Sequence, residues 1–244
     1  MSYPGGKNGS GVYQTLINLM PPHHVYVEPF LGSGALMRLK RPAILNWGID
    51  LDTEVIERAR LAFDDRRPPT PEQVRLGNRP RFLFEAEDGI GFLRRIRFDP
   101  RHLVYCDPPY LKSARRDRVG DIYKFEMTDA QHVELLRTLK GLPCMVMISG
   151  YSSALYAKEL KGWHCTAFQA STRGRPAAEW VWCNYPRPVE LHDYRYLGDN
   201  FREREHIKRM QKRWIAKLEK MAPVKRQALL AAIAATAGSG DVTR

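Results

Sequence analysis

The sequence predicts an α/β fold built on a mostly parallel sheet. Two observations carry this. Short apolar runs recur along the chain and end at carboxylates, Glu28, Asp50, Asp88 and Asp107, and helix-forming stretches lie between them. That alternation of strand and helix is the signature of parallel βαβ units. A composition of 244 residues with 43% hydrophobic side chains also suits one domain with additions, or two small ones.

Residues 11–20 read as a short helix stopped by Pro21 and Pro22. Before it stand Tyr3, Pro4, Gly5, Gly6 and Lys7, where paired glycines let backbone approach a ligand closely. The spacing is not that of a phosphate-binding P-loop. Next, Val25-Tyr26-Val27 forms a strand that runs through Glu28-Pro29-Phe30-Leu31 into Gly32-Ser33-Gly34 and a helix from Ala35. Glycines at that turn allow a cofactor to lie against bare backbone at a helix start. A dinucleotide fingerprint needs a third glycine where Met37 stands, and Glu28 would repel a pyrophosphate while suiting an amino-bearing ligand.

A second strand, residues 43–49, ends at Asp50, which lies 18 residues after Gly32. At this place in a βαβ unit a carboxylate grips ribose hydroxyls. A ribose without a pyrophosphate, beside an acidic loop, points to S-adenosylmethionine. A helix over residues 53–63 starts at a capping Asp52 or Thr53. Residues 64–80 are polar and proline-punctuated, a loop or small insertion. Residues 82–87 form a strand ending at Asp88, which either caps a helix over 89–96 or bonds an adenine amino group of the cofactor.

The apolar run Leu103-Val104-Tyr105-Cys106 then ends in Asp107-Pro108-Pro109-Tyr110. Neither proline can donate to a ladder, so the strand stops at a rigid corner. The corner offers one carboxylate, one prolyl carbonyl and one flat ring, a set that accepts both hydrogens of an aromatic amino group while the ring stacks. A basic loop covers residues 111–121, a helix 128–139, a buried strand 145–149 and a helix 155–160. Residues 163–168 and 179–185 pair as an antiparallel hairpin with a tip at Ser171-Thr172-Arg173-Gly174-Arg175-Pro176. Beyond residue 200, Ile207, Met210, Trp214, Leu218 and Met221 recur at helical steps among many lysines and arginines. Pro223 is expected to end that helix. Residues 227–237 are alanine-rich and helix-compatible, followed by a loose tail.

Net charge is +12, with basic residues clustered at Arg94, Arg95 and Arg97, at Lys112, Arg115, Arg116 and Arg118, at Arg173 and Arg175, and over residues 202–220. Such a surface favours a polyanion. Nucleic acid is favoured over membrane, because no basic segment carries a clearly separate apolar face with interfacial aromatics. No run of about 18 apolar residues and no signal peptide is present, so a cytoplasmic protein is expected. Cys106, Cys144, Cys165 and Cys183 are scattered without a Cys-x-x-Cys pair; buried reduced thiols are expected, with no metal site.

Together these elements resemble the Dam-type adenine-specific DNA methyltransferases. The matching pieces are Tyr3-Pro4-Gly5-Gly6-Lys7, Glu28 through Gly34, Ile49-Asp50-Leu51-Asp52, Asp107-Pro108-Pro109-Tyr110 and Trp182-Cys183-Asn184-Tyr185, in the family's order. The resemblance covers about residues 1–190. It implies a Rossmann-like class I methyltransferase fold, a mostly parallel seven-stranded sheet with one antiparallel strand, and S-adenosylmethionine as methyl donor. Tyr3, Gly6, Lys7, Glu28, Phe30, Gly32, Gly34, Asp50 and Asp88 then hold the cofactor. Asp107 and the Pro108 carbonyl accept the amino hydrogens, Pro109 stiffens the corner and Tyr110 stacks on a flipped base.

The expected partner is double-stranded DNA, contacted through Lys112, Arg115, Arg116, Arg118, Arg173, Arg175, Lys208 and Lys212, without membrane or metal; monomer and dimer are both open. Residues 1–195 would form the methyltransferase domain and 196–244 a basic helical extension. The departure from the family is the target-recognition insertion. Only 54 residues separate Asp52 from Asp107, so residues 53–80 hold at most a reduced one. Cytosine-N4 transfer, RNA adenine methylation and a non-catalytic DNA-binding regulator remain alternatives. A bacterial or phage origin, nucleoid association and a restriction-modification role fit the family.

Overall fold

A computed structural model describes residue 7 and residues 11–63, 79–115, 123–172 and 175–238. Seven strands form one sheet in the order β3-β2-β1-β4-β5-β7-β6. They are β1 (Val25–Glu28), β2 (Leu45–Asp50), β3 (Arg81–Ala86), β4 (His102–Cys106), β5 (Met145–Gly150), β6 (His164–Thr172) and β7 (Arg175–Cys183). All neighbours from β3 to β5 pair in parallel, and β7 runs antiparallel between β5 and β6. This is the expected Rossmann-like fold, with one antiparallel strand.

The helices of this body are α1 (Val12–Ile17), α2 (Ala35–Leu39), α3 (Thr53–Ala62), α4 (Gly89–Arg95), α5 (Asp129–Lys140) and α6 (Ala154–Glu159). Strand residues alternate between two cores, because successive side chains leave opposite faces. Tyr26, Leu103, Tyr105, Met147 and Val181 pack in one core with α1, α2 and α3. Val27, Val104, Cys106, Val146, Ile148 and Trp182 pack in the other with α4, α5 and α6. A sheet covered on both faces needs apolar residues at consecutive positions, which is why the central strands read as continuous apolar runs.

Helix starts follow local chemistry. Asp52 caps α3 by accepting from Glu54 N at 3.1 Å, so the cap is Asp52 and not Thr53. Thr128 and Gln131 form a capping box at α5. The chain leaves β1 toward β2 and β3, then returns to β4 on the other side of β1. The carboxyl ends of β1 and β4 therefore flank the point where strand order reverses, the usual ligand crevice of such sheets.

The hairpin departs from expectation. Pairing continues out to Thr172↔Arg175, so most of the expected tip is strand. Pro176 is tolerated there because β5 pairs only with Trp180 to Cys183, leaving no second neighbour that needs its missing N–H. The thiols also differ in part: Cys106, Cys144 and Cys183 are buried and free, whereas Cys165 is free and exposed.

The chain divides into compact units at 1–196 and 197–244. In the second unit, α7 (Phe201–Glu219) starts at Asn200, whose side chain accepts from Glu203 N at 3.0 Å. Helix α8 (Pro223–Gly238) follows. Pro223 opens α8, where its fixed φ and missing N–H are tolerated, and α7 has already stopped at Glu219. No residue of α7 is buried. Among the described residues no helix is long and apolar enough to cross a membrane.

Candidate active site

A cavity of about 250 Å³ opens at the carboxyl ends of β1, β2 and β4. Its walls bring together residues that are far apart in sequence: Lys7, Glu28, Phe30, Gly32, Asp50, Asp88, Asp107 and Pro109. Residues 123–127 and Gln131 contribute further wall.

Glycine shapes the turn after β1. Gly32 and Gly34 have φ of 50° and 59°, in the left-handed region that a side chain disfavours. Gly32 N donates to Asp50 Oδ2 at 2.8 Å, and Asp52 N donates to Oδ1 of the same carboxylate at 2.9 Å. Asp50 is thereby fixed at the wall with lone pairs remaining on both oxygens. Burial raises its pKa, and the two backbone donors work against that rise.

Glu28 is the unusual group. It is 3% exposed; Tyr26 Oη donates to its Oε1 at 3.1 Å, and among the described residues its Oε2 has no hydrogen-bond partner. Burial pushes its carboxyl up to about 8. The nearby buried Lys40 sits 4.0 Å over the Tyr26 ring, and burial pushes its ammonium down to about 7. An orphaned carboxylate oxygen on a cavity wall is an acceptor waiting for a donor.

Asp88 caps α4, accepting from Gly91 N at 2.8 Å, and it also lines the cavity. The next residue, Gly89, has a role that sequence reasoning did not assign. A Cβ there would lie 2.2 Å from the Pro29 carbonyl oxygen. Gly89→Ala is therefore expected to push back the turn after β1, destabilising the fold by about 1–3 kcal/mol. Thermal melting with and without cofactor checks this, and the cofactor-induced shift should shrink.

The corner after β4 is a buried charge network. Lys7 Nζ lies 2.9 Å from Asp107 Oδ1 and 3.2 Å from Glu179 Oε2, and donates to Tyr110 Oη at 2.7 Å. Tyr110 Oη is itself 3.1 Å from Asp107 Oδ1 and 2.9 Å from Glu179 Oε2. Both contacts on Asp107 fall on Oδ1, and its side chain is 19% exposed. Burial works against the charge of Lys7, but Asp107 and Glu179 outweigh it and hold the ammonium above the usual lysine range. Burial raises the pKa of Asp107, Lys7 opposes that rise and Glu179 adds to it.

Several expectations change here. Lys7, expected at the cofactor, lines the cavity but spends its charge on Asp107. Tyr110 is not an open platform in this state: it is 6% exposed and packs edge-on against Tyr151, with centroids 4.7 Å apart. Pro109 lines the cavity, while Pro108 is buried and does not. Arg115, expected on DNA, is buried: Nε and Nη2 donate to the Tyr110 carbonyl at 2.9 and 2.6 Å, and the guanidinium pairs with Glu126. A planar fork with a carboxylate and a carbonyl in reach is satisfied inside the protein, so Arg115 braces the corner.

Lys112 starts a 3-10 turn, Lys112–Ala114, and is exposed. Arg175 begins β7, and Lys208 and Lys212 lie exposed on α7 in the second unit, Lys208 paired with Glu205 at 2.9 Å. Tyr3, Gly6, Arg116, Arg118 and Arg173 lie outside the described residues, as do residues 64–78, where a loop or small insertion is expected.

Sequence reasoning missed Glu179, Tyr123, Lys124 and Phe125. Glu179 carries a legible signal: a lone acid leading into Trp180-Val181-Trp182, 3% exposed in the folded chain. Lys124 crosses to Asp52 at 3.0 Å, and Phe125 remains 42% exposed beside the cavity. The late motif is structural: Asn184 Oδ1 accepts from Val146 N and its Nδ2 donates to the Cys144 carbonyl, both at 2.8 Å. Among the described residues no group of three or more His, Cys, Asp or Glu side chains is arranged to hold a metal ion.

No protein-family model and no curated protein matches the chain. Solved structures of similar fold do. A proposed methylase from Haemophilus influenzae is 14% identical, with 72% of this chain and 89% of that chain covered and a TM-score of 0.45. Magnesium protoporphyrin IX methyltransferase from Synechocystis, solved with bound S-adenosylmethionine, is 14% identical over 72% and 76%, with a TM-score of 0.43. An rRNA methylase from Streptococcus thermophilus is 12% identical over 73% and 97%, with a TM-score of 0.43.

Proposed function

We propose that the chain is an S-adenosylmethionine-dependent methyltransferase acting on the exocyclic 6-amino group of adenine in DNA. The observation that carries this reading is the opening of Asp107 into the same cavity that Glu28, the Gly32 turn and Asp50 line. An amino-accepting corner and a cofactor-sized pocket share one wall.

The donor set fits this cofactor. Glu28, with one oxygen unpartnered, suits the ammonium of the methionine part. Asp50, held by two backbone donors, retains lone pairs for a pair of ribose hydroxyls. The bare backbone at Gly32 admits close approach, whereas Gly34 shapes the turn outside the cavity lining, and the presence of Asp88 on the wall supports its reading as the adenine-binding acid. When bound, the cofactor would supply an electrophilic sulfonium methyl to the amino nitrogen, with the neutral thioether as leaving group.

The protein's part is to position and polarise the amine. Base edges inside a duplex are out of reach, so the target is flipped out. Asp107 accepts one amino hydrogen, and the Pro108 carbonyl, outside the cavity lining in this state, accepts the other once the corner has adjusted to the base; the two bonds draw the lone pair away from ring conjugation. Tyr110 and Lys7 swing or share their contacts with Asp107 as the amine enters. The nitrogen's proton passes to the Asp107 carboxylate and from there to solvent at the cavity mouth. Orientation and fixed charge carry most of the acceleration. Lys112, Lys208 and Lys212 supply phosphate contacts, with affinity falling as salt rises.

Methyl transfer from tritiated cofactor to duplex DNA, RNA and single strands, followed by nucleoside mass analysis, tests the reading. N6-methyladenine in duplex DNA is expected. N4-methylcytosine, label confined to RNA, or tight DNA binding without transfer would each replace it.

Cofactor binding should also release a proton. Glu28, pushed up to about 8, is protonated at pH 7 and must ionise to pair with an ammonium. Calorimetry in buffers of different ionisation heat should show that release, and affinity should rise between pH 7 and 8. Glu28→Gln is expected to abolish both effects.

A further inference from the structure

Among the described residues the corner contains two carboxylates and one ammonium. With all three ionised its net charge is −1. Lys7 lies between Asp107 at 2.9 Å and Glu179 at 3.2 Å, and Tyr110 Oη bridges the same two carboxylates. Lys7 and Asp107 both line the cavity and Glu179 does not, but Lys7 and Glu179 are nearly fully buried, whereas Asp107 is the most exposed of the three.

We propose that Glu179 is a positioning residue of this site: it offsets the charge of Lys7, so that Asp107 meets the incoming amine as an uncompensated carboxylate. The inference rests on the amino-methylation reading above and adds to it the residue that sets the corner's charge. Without Glu179, Lys7 and Asp107 form a neutral pair. With it, the surplus negative charge sits on the group that faces the amine. Methylation moves positive charge onto the amino nitrogen, toward Asp107. A fixed negative charge there stabilises the transition state more than the ground state.

The fold explains how Glu179 arrives. In β7, Trp180 pairs with Gly150, the last residue of β5. Glu179 therefore lies just past the carboxyl end of β5. Because β7 runs antiparallel, that is the edge where the parallel strands deliver their own carboxyl ends, Asp107 among them. A parallel strand in the same place would present its terminal residues there instead.

Among the described residues, the charged and titratable groups that interact with Asp107 are Lys7, Glu179 and Glu28, the phenols of Tyr26, Tyr105, Tyr110, Tyr123 and Tyr156, and the Cys106 thiol. Of these, Lys7 alone opposes the rise in its pKa by charge, and Glu179 adds to that rise.

The test is the titration of Asp107 in the full-length protein, followed by carbon-13 NMR of labelled aspartate and assigned with Asp107→Asn. Glu179→Gln keeps the volume and an acceptor for Tyr110 and removes only the charge. Its Asp107 midpoint is expected to fall by roughly one pH unit. An unmoved midpoint overturns the inference. Glu179→Asp draws the charge back by one methylene, is expected to give an intermediate midpoint, and decides the matter if the glutamine variant does not fold. Methyl transfer provides the second readout. Glu179→Gln should be slower although its Asp107 is more fully ionised, with the acid limb of kcat/KM moved to lower pH. Wild-type rate with a moved midpoint would separate the charge from catalysis and overturn the role assigned to it. If the wild-type protein methylates no nucleic acid, the proposed function fails, while the titration still decides whether Glu179 sets the charge of Asp107.

Discussion

Asp107→Ala is expected to slow methyl transfer by about 10²–10³-fold, the scale seen when one preorganised electrostatic group is removed from an active site. Cofactor affinity should change little, since the Glu28, Gly32 and Asp50 wall is untouched. The fold should also survive. Lys7 keeps its partner Glu179 at 3.2 Å and its bond to Tyr110, so no buried charge is stranded. Single-turnover transfer, cofactor calorimetry and thermal melting on one preparation separate these outcomes. A variant that binds cofactor and transfers at the wild-type rate would remove Asp107 from the mechanism.

Lys7→Met should act on stability, and with a distinct pH dependence. The substitution leaves Asp107 and Glu179 facing each other across Tyr110 without a counter-ion. Removing one partner of a buried ion pair costs about 3–5 kcal/mol. The lower end applies here, because Asp107 is partly open to the cavity and can be hydrated. Burial and Glu179 already raise the pKa of Asp107, and Lys7 is the charge that restrains it. In the variant the folded-state pKa rises further above the unfolded value. A carboxyl raised in this way contributes stability that is complete below its unfolded pKa and lost as pH rises through the folded one. The deficit relative to wild type should thus be largest at neutral pH and above, and close as pH falls toward about 4, the ordinary carboxylate range. Denaturant unfolding at a series of pH values measures it. A deficit independent of pH would point to lost packing in place of lost charge.

Much of the fold is legible in the sequence because the strands of the parallel core are largely apolar runs, and β1, β2 and β4 end at or directly before an acid. Those features follow from burial on both faces and from the need to stop at the ligand edge. Glu28, Asp50, Asp88 and Asp107 meet at one cavity for that reason, and Gly32 and Gly34 turn where the backbone requires positive φ. What was not legible depends on distant pairing. Nothing near Lys7 in sequence says that its ammonium will settle on Asp107, one hundred residues away. Arg115 looked like part of a basic loop, because charge alone does not tell a solvated arginine from one turned inward to a carboxylate and a carbonyl. The length of the hairpin escaped because Pro176 reads as a breaker unless the edge position of its stretch is known. Gly89 gave no signal of its own; its constraint is a carbonyl that belongs to Pro29.

The insertion of β7 between β5 and β6 has a consequence for synthesis. The cavity wall is supplied by residues up to Gln131, but the carboxylate that balances Lys7 belongs to a strand emerging from the ribosome some fifty residues later. A nascent chain that has not emerged as far as Glu179 lacks the second carboxylate within reach of Lys7. Pairings this distant are also slow to close, since loop entropy opposes them until the sheet gains its last strands. The pocket and the competence of its corner are acquired at different times, and the hairpin that completes the sheet is also the step that completes the site.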